Sequence, residues 1–456
     1  MYSKIAKNII LPSYQFIIGG MIHKNLKYYE YTQHLSSSDI KELQWMKVKK
    51  ILTHAYNTVP FYHTIFKKNE ITPDDISCPE DFIKIPLLAK ESIRENIDRI
   101  ISNTYKKQSL LIGSTGGSTG SNLNFYYDRN SVDYREAITY RNDQWAGLNI
   151  GDKYVKLWGA QSGVTLSKTM RGRLYNKLFR QLLLSSYNLT KESMNEYSKK
   201  IINYKPKCII GYSSALSIFA EFLKNNHINK INPYSIISSA EVLYEYQRRI
   251  IESIFHCPVF NRYGCREVGT IAQECSEHNG LHINAEHVYV EVINRNGELC
   301  KPGEKGEIVI TDLDNYGFPF IRYKIEDLGI LSPHQCKCAI ELPLLEKVEG
   351  RIFDIIVGTN GNHITGTFWT ILFRTAVAGI EKFQVIQKKL GTIQIKLVVN
   401  DSFTLTKRKK LIQQIQKKCG EDTEVIIDIV KKIPLTPSGK HRYIISEVSP
   451  FTKLSK

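Results

Sequence analysis

Between residues 38 and 69 the apolar side chains return every three or four positions. Ile40, Leu43, Val48, Ile51, Leu52 and Ala55 share one face of a helix. Ser37 or Ser38, with Asp39 alongside, supplies the expected N-cap. Pro60, Pro73, Pro79 and Pro86 punctuate a connector, and a second helix is expected around Ala89–Ile101. Helices are predicted again over Ser131–Gly147, Lys168–Leu184 and Glu192–Asn203, with a short buried strand at Asp152–Trp158. Then a strand–helix rhythm sets in: strand Lys207–Gly211, helix Ser214–Asn225, strand Ser235–Ser238, helix Tyr244–Phe255, strand Val259–Phe260. Short apolar strands alternating with helices of this length predict a largely parallel sheet.

After His282 the texture turns to β. His287–Asn294 and Gly306–Thr311 read as strands, with turns at Gly297, Pro302, Gly303 and Gly317. Beyond Gly350, strands near Ile380–Gln387 and Ile393–Val399, a helix at Thr406–Cys419 and a strand at Glu424–Val430 make a separate module. The expected class is α/β: a large N-terminal α/β domain over residues 1–350, with a mostly parallel sheet plus a β subdomain, and a small α+β C-terminal domain over residues 351–456.

Bulk composition narrows the partners. The chain has 456 residues and a formal net charge of +17, which favours anionic ligands. Its lysines are spread rather than massed, so no nucleic acid is expected. Nine cysteines behind an N-terminus without a cleavable signal point to a reducing compartment, the cytoplasm. The apolar run Ile9–Ile22 is broken by Pro12, Gln15 and Gly19-Gly20 and is too short to span a bilayer. With Lys4, Lys7, Lys24 and Lys27 flanking it, it allows at most a peripheral contact at the inner face of a membrane, and a buried N-terminal segment is the plainer reading.

Five stretches carry chemistry. Gly113-Ser114-Thr115-Gly116-Gly117-Ser118-Thr119-Gly120-Ser121-Asn122 offers turning backbone and hydroxyl donors suited to phosphate oxygens, without the lysine of a Walker loop. Tyr263-Gly264-Cys265-Arg266-Glu267 follows a strand, where α/β folds place ligands; Tyr263 could stack on a base and Glu267 could hold a cation. Thr311-Asp312-Leu313 leads to Ile321-Arg322-Tyr323-Lys324-Ile325-Glu326-Asp327, and Glu349-Gly350-Arg351 precedes Asp354. Pro434-Leu435-Thr436-Pro437-Ser438-Gly439-Lys440 presents a lysine on a Gly/Pro-framed loop. Each alone reads equally well as a surface loop.

Together, in this order, the five resemble the adenylate-forming superfamily of acyl-CoA synthetases and adenylation domains. The wording Tyr-Gly-Cys-Arg-Glu, then Glu274-Cys275, Gly280-Leu281-His282 and Cys336-Lys337-Cys338, is similar to the phenylacetate–CoA ligase and CapK-like branch associated with surface polysaccharide. The resemblance implies ATP and Mg²⁺ as cofactors. It places Ser114, Thr115, Gly116, Gly117, Ser118, Thr119 and Gly120 at the phosphates, and Ser239, Ala240, Glu241, Tyr263 and Gly264 at the nucleotide. Asp327 and Arg351 fall at the ribose, Glu267 and Thr119 at the magnesium, and Lys440 at the reacting phosphate. It also implies a mobile C-terminal domain that pivots near Gly350–Asp354. Three positions depart from the pattern: Arg266 for a Thr or Ser, Ser121 for a loop lysine, and Phe353 in the usual hinge-Asp slot, which leaves Asp354 as candidate pivot.

Cys275, His278, His282, Cys336 and Cys338 are ligand types that zinc takes in tetrahedral sites, although buried free thiols fit the spacing as well. The branch resemblance favours a structural zinc on Cys275, His282, Cys336 and Cys338, because the Gly-Leu-His wording recurs there. The implied function is ATP-dependent adenylation of a small carboxylic acid, then transfer to an acceptor amine or thiol (amino acid, sugar or coenzyme A) in capsule or O-antigen synthesis. The alternatives are a phenylacetate–CoA ligase-like catabolic enzyme and, from another class, a non-catalytic nucleotide-binding scaffold. Trp158, Gly159, Tyr212, Ser213, Ser239 and Ala240 are the expected lining of the acid pocket.

Overall fold

The structure, a computed structural model, describes residues 2–115, 123–158, 169–186, 189–351, 356–364, 368–369, 372–373, 379–434 and 442–448. Contacts divide the chain into two units, Met1–Ile325 with Gly329–Val348, and Glu326–Leu328 with Glu349–Lys456.

The larger unit opens with a short helical turn at Tyr2–Ile5 and a wider π-helical turn at Ala6–Ile10, followed by helices α1 (Leu11–Ile18), α2 (Ile22–Thr32), α3 (Ser37–Thr58) and α4 (Pro60–Lys68). The helical run expected over residues 38–69 is two helices. Val59 adopts extended backbone before Pro60, whose ring disfavours a helical predecessor and whose missing N–H suits a first helical position. The N-cap is Ser36, one residue earlier than read from sequence, its Oγ accepting the Asp39 N–H at 3.2 Å. Strands β1 (Leu111–Ser114) and β2 (Asn124–Tyr127) pair antiparallel and lead to α5 (Arg129–Trp145), which Asp128 caps through the Ser131 N–H at 2.8 Å.

Eleven strands then form one sheet: β3 (Tyr154–Trp158), β4 (Gln181–Ser185), β5 (Cys208–Tyr212), β6 (Ser235–Ser239), β7 (Val259–Cys265), β8 (Gly269–Glu274), β9 (Leu281–Ile283), β10 (Val288–Ile293), β11 (Lys305–Asp312), β12 (Tyr323–Leu331) and β13 (Leu344–Arg351). Their order is β10-β11-β12-β13-β9-β8-β7-β6-β5-β3-β4. Neighbours from β4 to β7 are parallel, whereas β7–β8, β8–β9 and β9–β13 are antiparallel. The parallel and β-rich regions of the sequence are thus halves of one sheet that meet at β7. Helices α6 (Met170–Leu178), α7 (Lys191–Tyr204), α8 (Ser213–Asn225) and α9 (Glu245–Phe255) fall within the parallel half in chain order. Val155, Leu157, Ile209 and Ile236 pack against Leu216, Phe219 and Phe255 there.

Three local readings are corrected. The basic helix expected over Lys168–Leu184 ends at Leu178, Arg180 turns left-handed (φ 52°), and the rest becomes β4 on the edge of β3. A leucine run this short fits either period, and the open edge of β3 decides it. Strand β7 continues past Phe260 to Cys265, so Tyr263 and Gly264 lie in the strand, paired with β8. Likewise the strand-like Phe320–Tyr323, which Asp327 was expected to follow, is not the strand: β12 begins at Tyr323 and contains Asp327.

The C-terminal unit has a sheet of order β18-β17-β16-β19, from β16 (Ile380–Lys389), β17 (Thr392–Val399), β18 (Glu424–Ile429) and β19 (Ile444–Ser446). Before it, β14 (Ile356–Val357) and β15 (His363–Ile364) form a two-stranded pair. Helix α10 (Leu405–Cys419) buries Leu411 and Ile415 against Phe383, Val385, Ile395 and Leu397. That is an α+β module with alternating inward positions on β17.

Candidate active site

The Gly-rich stretch begins on β1. A Cβ on Gly113 would lie 2.4 Å from both the Phe125 ring and the Tyr127 hydroxyl, so only glycine lets the hairpin close. Thr115 pinches the neck of the loop: its N–H donates to the Leu123 carbonyl and its Oγ1 accepts the Leu123 N–H, both at 2.9 Å. Ser114 and Thr115 are therefore placed at the loop root. Gly116, Gly117, Ser118, Thr119 and Gly120 lie outside the described residues, as do Lys440, Phe353, Asp354 and Gly159.

Tyr263–Glu267 forms the end of β7 and the turn into β8. A register shift falls between Tyr263 and Gly264, and a Cβ at Gly264 would stand 2.3 Å from the Gly269 carbonyl oxygen. Glycine is what allows the two strands to cross so closely. Glu267, buried in the turn, accepts a hydrogen bond on Oε1 from the equally buried Tyr323 hydroxyl at 2.6 Å. A distance this short suits a charged acceptor.

Arginines brace the turn. Arg135 of α5 donates to the Arg266 carbonyl at 2.7 Å and to that of Glu267 at 3.4 Å, while its guanidinium lies 4.5 Å from the Tyr127 ring centroid. Arg266, which departs from the superfamily pattern, donates to the Ser114 carbonyl at 2.8 Å. Thus the carboxylate-bearing turn and the root of the Gly-rich loop are tied directly. The sequence did not single out Arg135 or the Glu267–Tyr323 bond. A lone arginine on a helix carries no distinguishing pattern, and a partner 56 residues away is set by the sheet order.

Ser239 ends β6, and Ala240 adopts φ 67°, a conformation that non-glycine residues take at a cost and that clusters at functional sites. This bend points Glu241 back at α8: its Oε2 accepts the Ser214 N–H at 2.9 Å, a carboxylate on a helix N-terminus. Ser213 Oγ meets Ser238 Oγ at 2.7 Å, and the Trp158 and Tyr212 rings pack 4.4 Å apart at the ends of β3 and β5. Trp158, Tyr212, Ser213, Ser239 and Ala240 thus lie at the carboxyl ends of the parallel strands β3, β5 and β6 or just after them. Asp327 sits partly exposed on β12 right after Glu326 (φ 71°), and groups with the C-terminal unit, as does Arg351 at the end of β13. A separate cavity of about 710 Å³ in the larger unit is lined by Lys50, His54, Tyr105, Tyr134 and Tyr316 among others; it includes none of the motif residues.

Cys275, His282, Cys336 and Cys338 converge, with all four candidate ligand atoms within 4.8 Å of one another. The Cys275 and Cys336 sulfurs are 3.6 Å apart, and the Cys338 sulfur lies 3.2 Å from His282 Nε2. A tetrahedral zinc with sulfurs at about 2.3 Å would space them about 3.8 Å apart, so the donor set fits. Meanwhile His282 Nδ1 lies 3.1 Å from the Leu342 carbonyl, an acceptor that would fix the tautomer and leave Nε2 as a donor atom for metal. Burial pushes the His282 pKa down to about 4, favouring the neutral imidazole a metal needs. His278 instead faces Glu274 at 3.0 Å, outside the cluster.

Residues 356–447 match the CapK C-terminal domain family. The chain is 28% identical to Protein CapK of Staphylococcus aureus over 434 residues, covering 92% of each. It is also 25% identical to phenylacetate-coenzyme A ligase of Pseudomonas putida over 332 residues, 71% of this chain and 72% of the relative. The chain is thus similar to the CapK and phenylacetate–CoA ligase-like branch of the adenylate-forming proteins. Its fold agrees: 2-hydroxyisobutyryl-CoA ligase, in the postadenylation state in complex with R3-HIB-AMP, superposes with a TM-score of 0.73 over 91% of this chain and 90% of that one, at 16% identity. A further relative, phenylacetate-coenzyme A ligase of Aromatoleum evansii, is 23% identical over 412 residues, covering 87% of this chain and 90% of that one. No helix among the described residues is long and apolar enough to cross a membrane.

Proposed function

We propose that this ligase activates a small carboxylic acid as its acyl-adenylate and passes the acyl group to the thiol of coenzyme A. The observation that carries the reading is the Glu267 carboxylate, oriented by Tyr323 on a turn that Arg266 ties to the root of the Gly-rich loop. In the first step a carboxylate oxygen attacks the α-phosphorus of ATP, and pyrophosphate leaves. Charge builds on the phosphoryl oxygens, so donors and cations fixed in advance lower the barrier. Glu267 and Thr119 are assigned the Mg²⁺, Ser114–Gly120 the phosphates, and Lys440 the reacting centre. Ser239–Glu241 with Tyr263 and Gly264 are assigned the base, and Asp327 with Arg351 the ribose. In the second step the thiol sulfur attacks the acyl carbonyl and AMP departs.

Residues 1–350 and 351–456 are assigned as the bodies that rearrange between the steps, in a cytoplasmic setting that supplies ATP and coenzyme A. Cys275, His282, Cys336 and Cys338 are assigned a structural zinc, since four protein ligands leave no open position for chemistry. A second reading is transfer to the amine of an amino acid or sugar in capsule or O-antigen synthesis.

The test is ATP–pyrophosphate exchange across a panel of carboxylic acids, followed by product analysis with coenzyme A, amino acids and amino sugars. Acid-dependent exchange with thioester formation supports the first reading, and amide formation without thioester supports the second. No exchange with any acid would leave a nucleotide-binding scaffold.

A further inference from the structure

The N-terminal helices present two unlike faces. Ala6, Leu11 and Gln15 are buried, with Ala6 and Leu11 packed against Ile138 and Phe179, whereas Ile5, Ile9, Phe16 and Ile17 stand on the outer side. Phe16 is 90% exposed and Ile17 80%. Met21, at the entrance of α2, is also exposed. Large apolar side chains gathered in this way mark a contact surface rather than chance exposure.

Helix α6, more than 150 residues later in the chain, packs directly beside this segment. Tyr14 lies 5.9 Å from the rings of both Tyr175 and Phe179, the Tyr2 hydroxyl donates to the Leu178 carbonyl at 2.8 Å, and Arg180 stacks 3.6 Å over Tyr2. Helix α6 exposes Met170, at 84%, and Leu174, with Arg173 and Lys177 also exposed. Charge adds an independent observation. The first acidic residue of the chain is Glu30, and none occurs between Asp152 and Glu192. Both segments are therefore purely basic, with Lys4, Lys24, Lys27, Arg173 and Lys177 exposed around the apolar side chains.

We infer that this face docks the enzyme on an anionic lipid bilayer, lying in the interface without crossing it. Phe16, Ile17, Met170 and Leu174 would enter the headgroup–acyl boundary, and the lysine and arginine stems would extend to lipid phosphates. A second copy of the chain is a poor occupant, because a symmetric contact would bring two purely basic faces together. The inference stands independently of which acid or acceptor the active site takes.

The test uses the full-length protein in flotation assays with phosphatidylcholine vesicles, plain or containing roughly a third phosphatidylglycerol. Wild type should float only with the anionic vesicles, and less at high salt. Phe16→Ser with Ile17→Ser should weaken partition by about tenfold or more, as should Met170→Ser with Leu174→Ser. Lys4→Glu with Lys24→Glu and Lys27→Glu should abolish it. Acid-dependent pyrophosphate exchange in solution should be unchanged in all three, showing that they fold. Equal flotation of wild type and variants would overturn the inference, as would no flotation of wild type. A dimer on gel filtration that the serine variants dissolve, without lipid binding, would assign the face to self-association instead.

Discussion

Removing the Tyr323 hydroxyl while keeping its ring isolates one bond of the proposed magnesium site. The ring stays packed 5.1 Å from Phe320 in the core, so Tyr323→Phe leaves almost no void. What is lost is the 2.6 Å hydrogen bond to a buried carboxylate, and bonds to charged groups contribute about 1.5–3 kcal/mol. If that energy orients Glu267 toward the nucleotide's metal, kcat/KM for ATP should fall roughly ten- to a hundredfold, at about 1.4 kcal/mol per decade. The KM of the acid should stay unchanged, because the bond touches neither Trp158 nor Tyr212. Pyrophosphate release measured with ATP and Mg²⁺ varied separately is the assay, with thermal unfolding as control. Unfolding should drop by only a few degrees in a unit this large. An unfolding loss of that size with ATP kinetics within about twofold of wild type would refute the reasoning and make the pair purely architectural.

Lys440→Ala should abolish adenylation yet spare transfer from a supplied acyl-adenylate; unchanged pyrophosphate release would remove the assignment. Asp327→Ala should weaken ATP binding by roughly tenfold or more and leave 2′,3′-dideoxy-ATP nearly unaffected, since a carboxylate there would accept both ribose hydroxyls; equal losses for both nucleotides would count against a ribose role. Purified protein should hold close to one zinc per chain by elemental analysis, and Cys336→Ser should reduce it and lower thermal stability more than activity. In chelated protein, the folded His282 pKa of about 4 lies below its unfolded value near 6.5, so the unfolded chain binds the extra proton between them. Stability should therefore be full above that window and fall as pH drops through it, a slope that His282→Gln should flatten.

How far the sequence reached depended on the range of each interaction. Helices α8 and α9 and the strand β6 between them follow from the local apolar pattern, a short run for the strand that is buried on both faces and a helical spacing for the helices. The motif glycines were visible as glycines, but the reason for Gly113 is the Phe125 ring and that for Gly264 is the Gly269 carbonyl, across a hairpin in each case. Where two periods fitted equally, as in Leu182–Leu184, the choice fell to the open edge of β3, which no local window contains. The cysteine cluster was read from residue type and resemblance. Resemblance alone favoured His282 over His278; the physical reason is in the packing, where His282 faces the Leu342 carbonyl and His278 faces Glu274.

The sheet order has a consequence for synthesis. Strand β9, only three residues long, pairs with β8 on one side and with β13 on the other, where Leu344 meets His282 and Leu345 meets Leu281. Since β13 starts at Leu344 and β9 ends at Ile283, a ribosome adding 5–20 residues per second leaves that edge bare for roughly 3–12 s. For most of that interval Cys275 and His282 have been made but Cys336 and Cys338, just ahead of Leu344, have not, so no metal ion bound by all four could hold the register. Slowed elongation or a rare-codon cluster between these strands would lengthen the exposure, and the yield of soluble chain would then be governed by translation speed rather than by the stability of the finished fold.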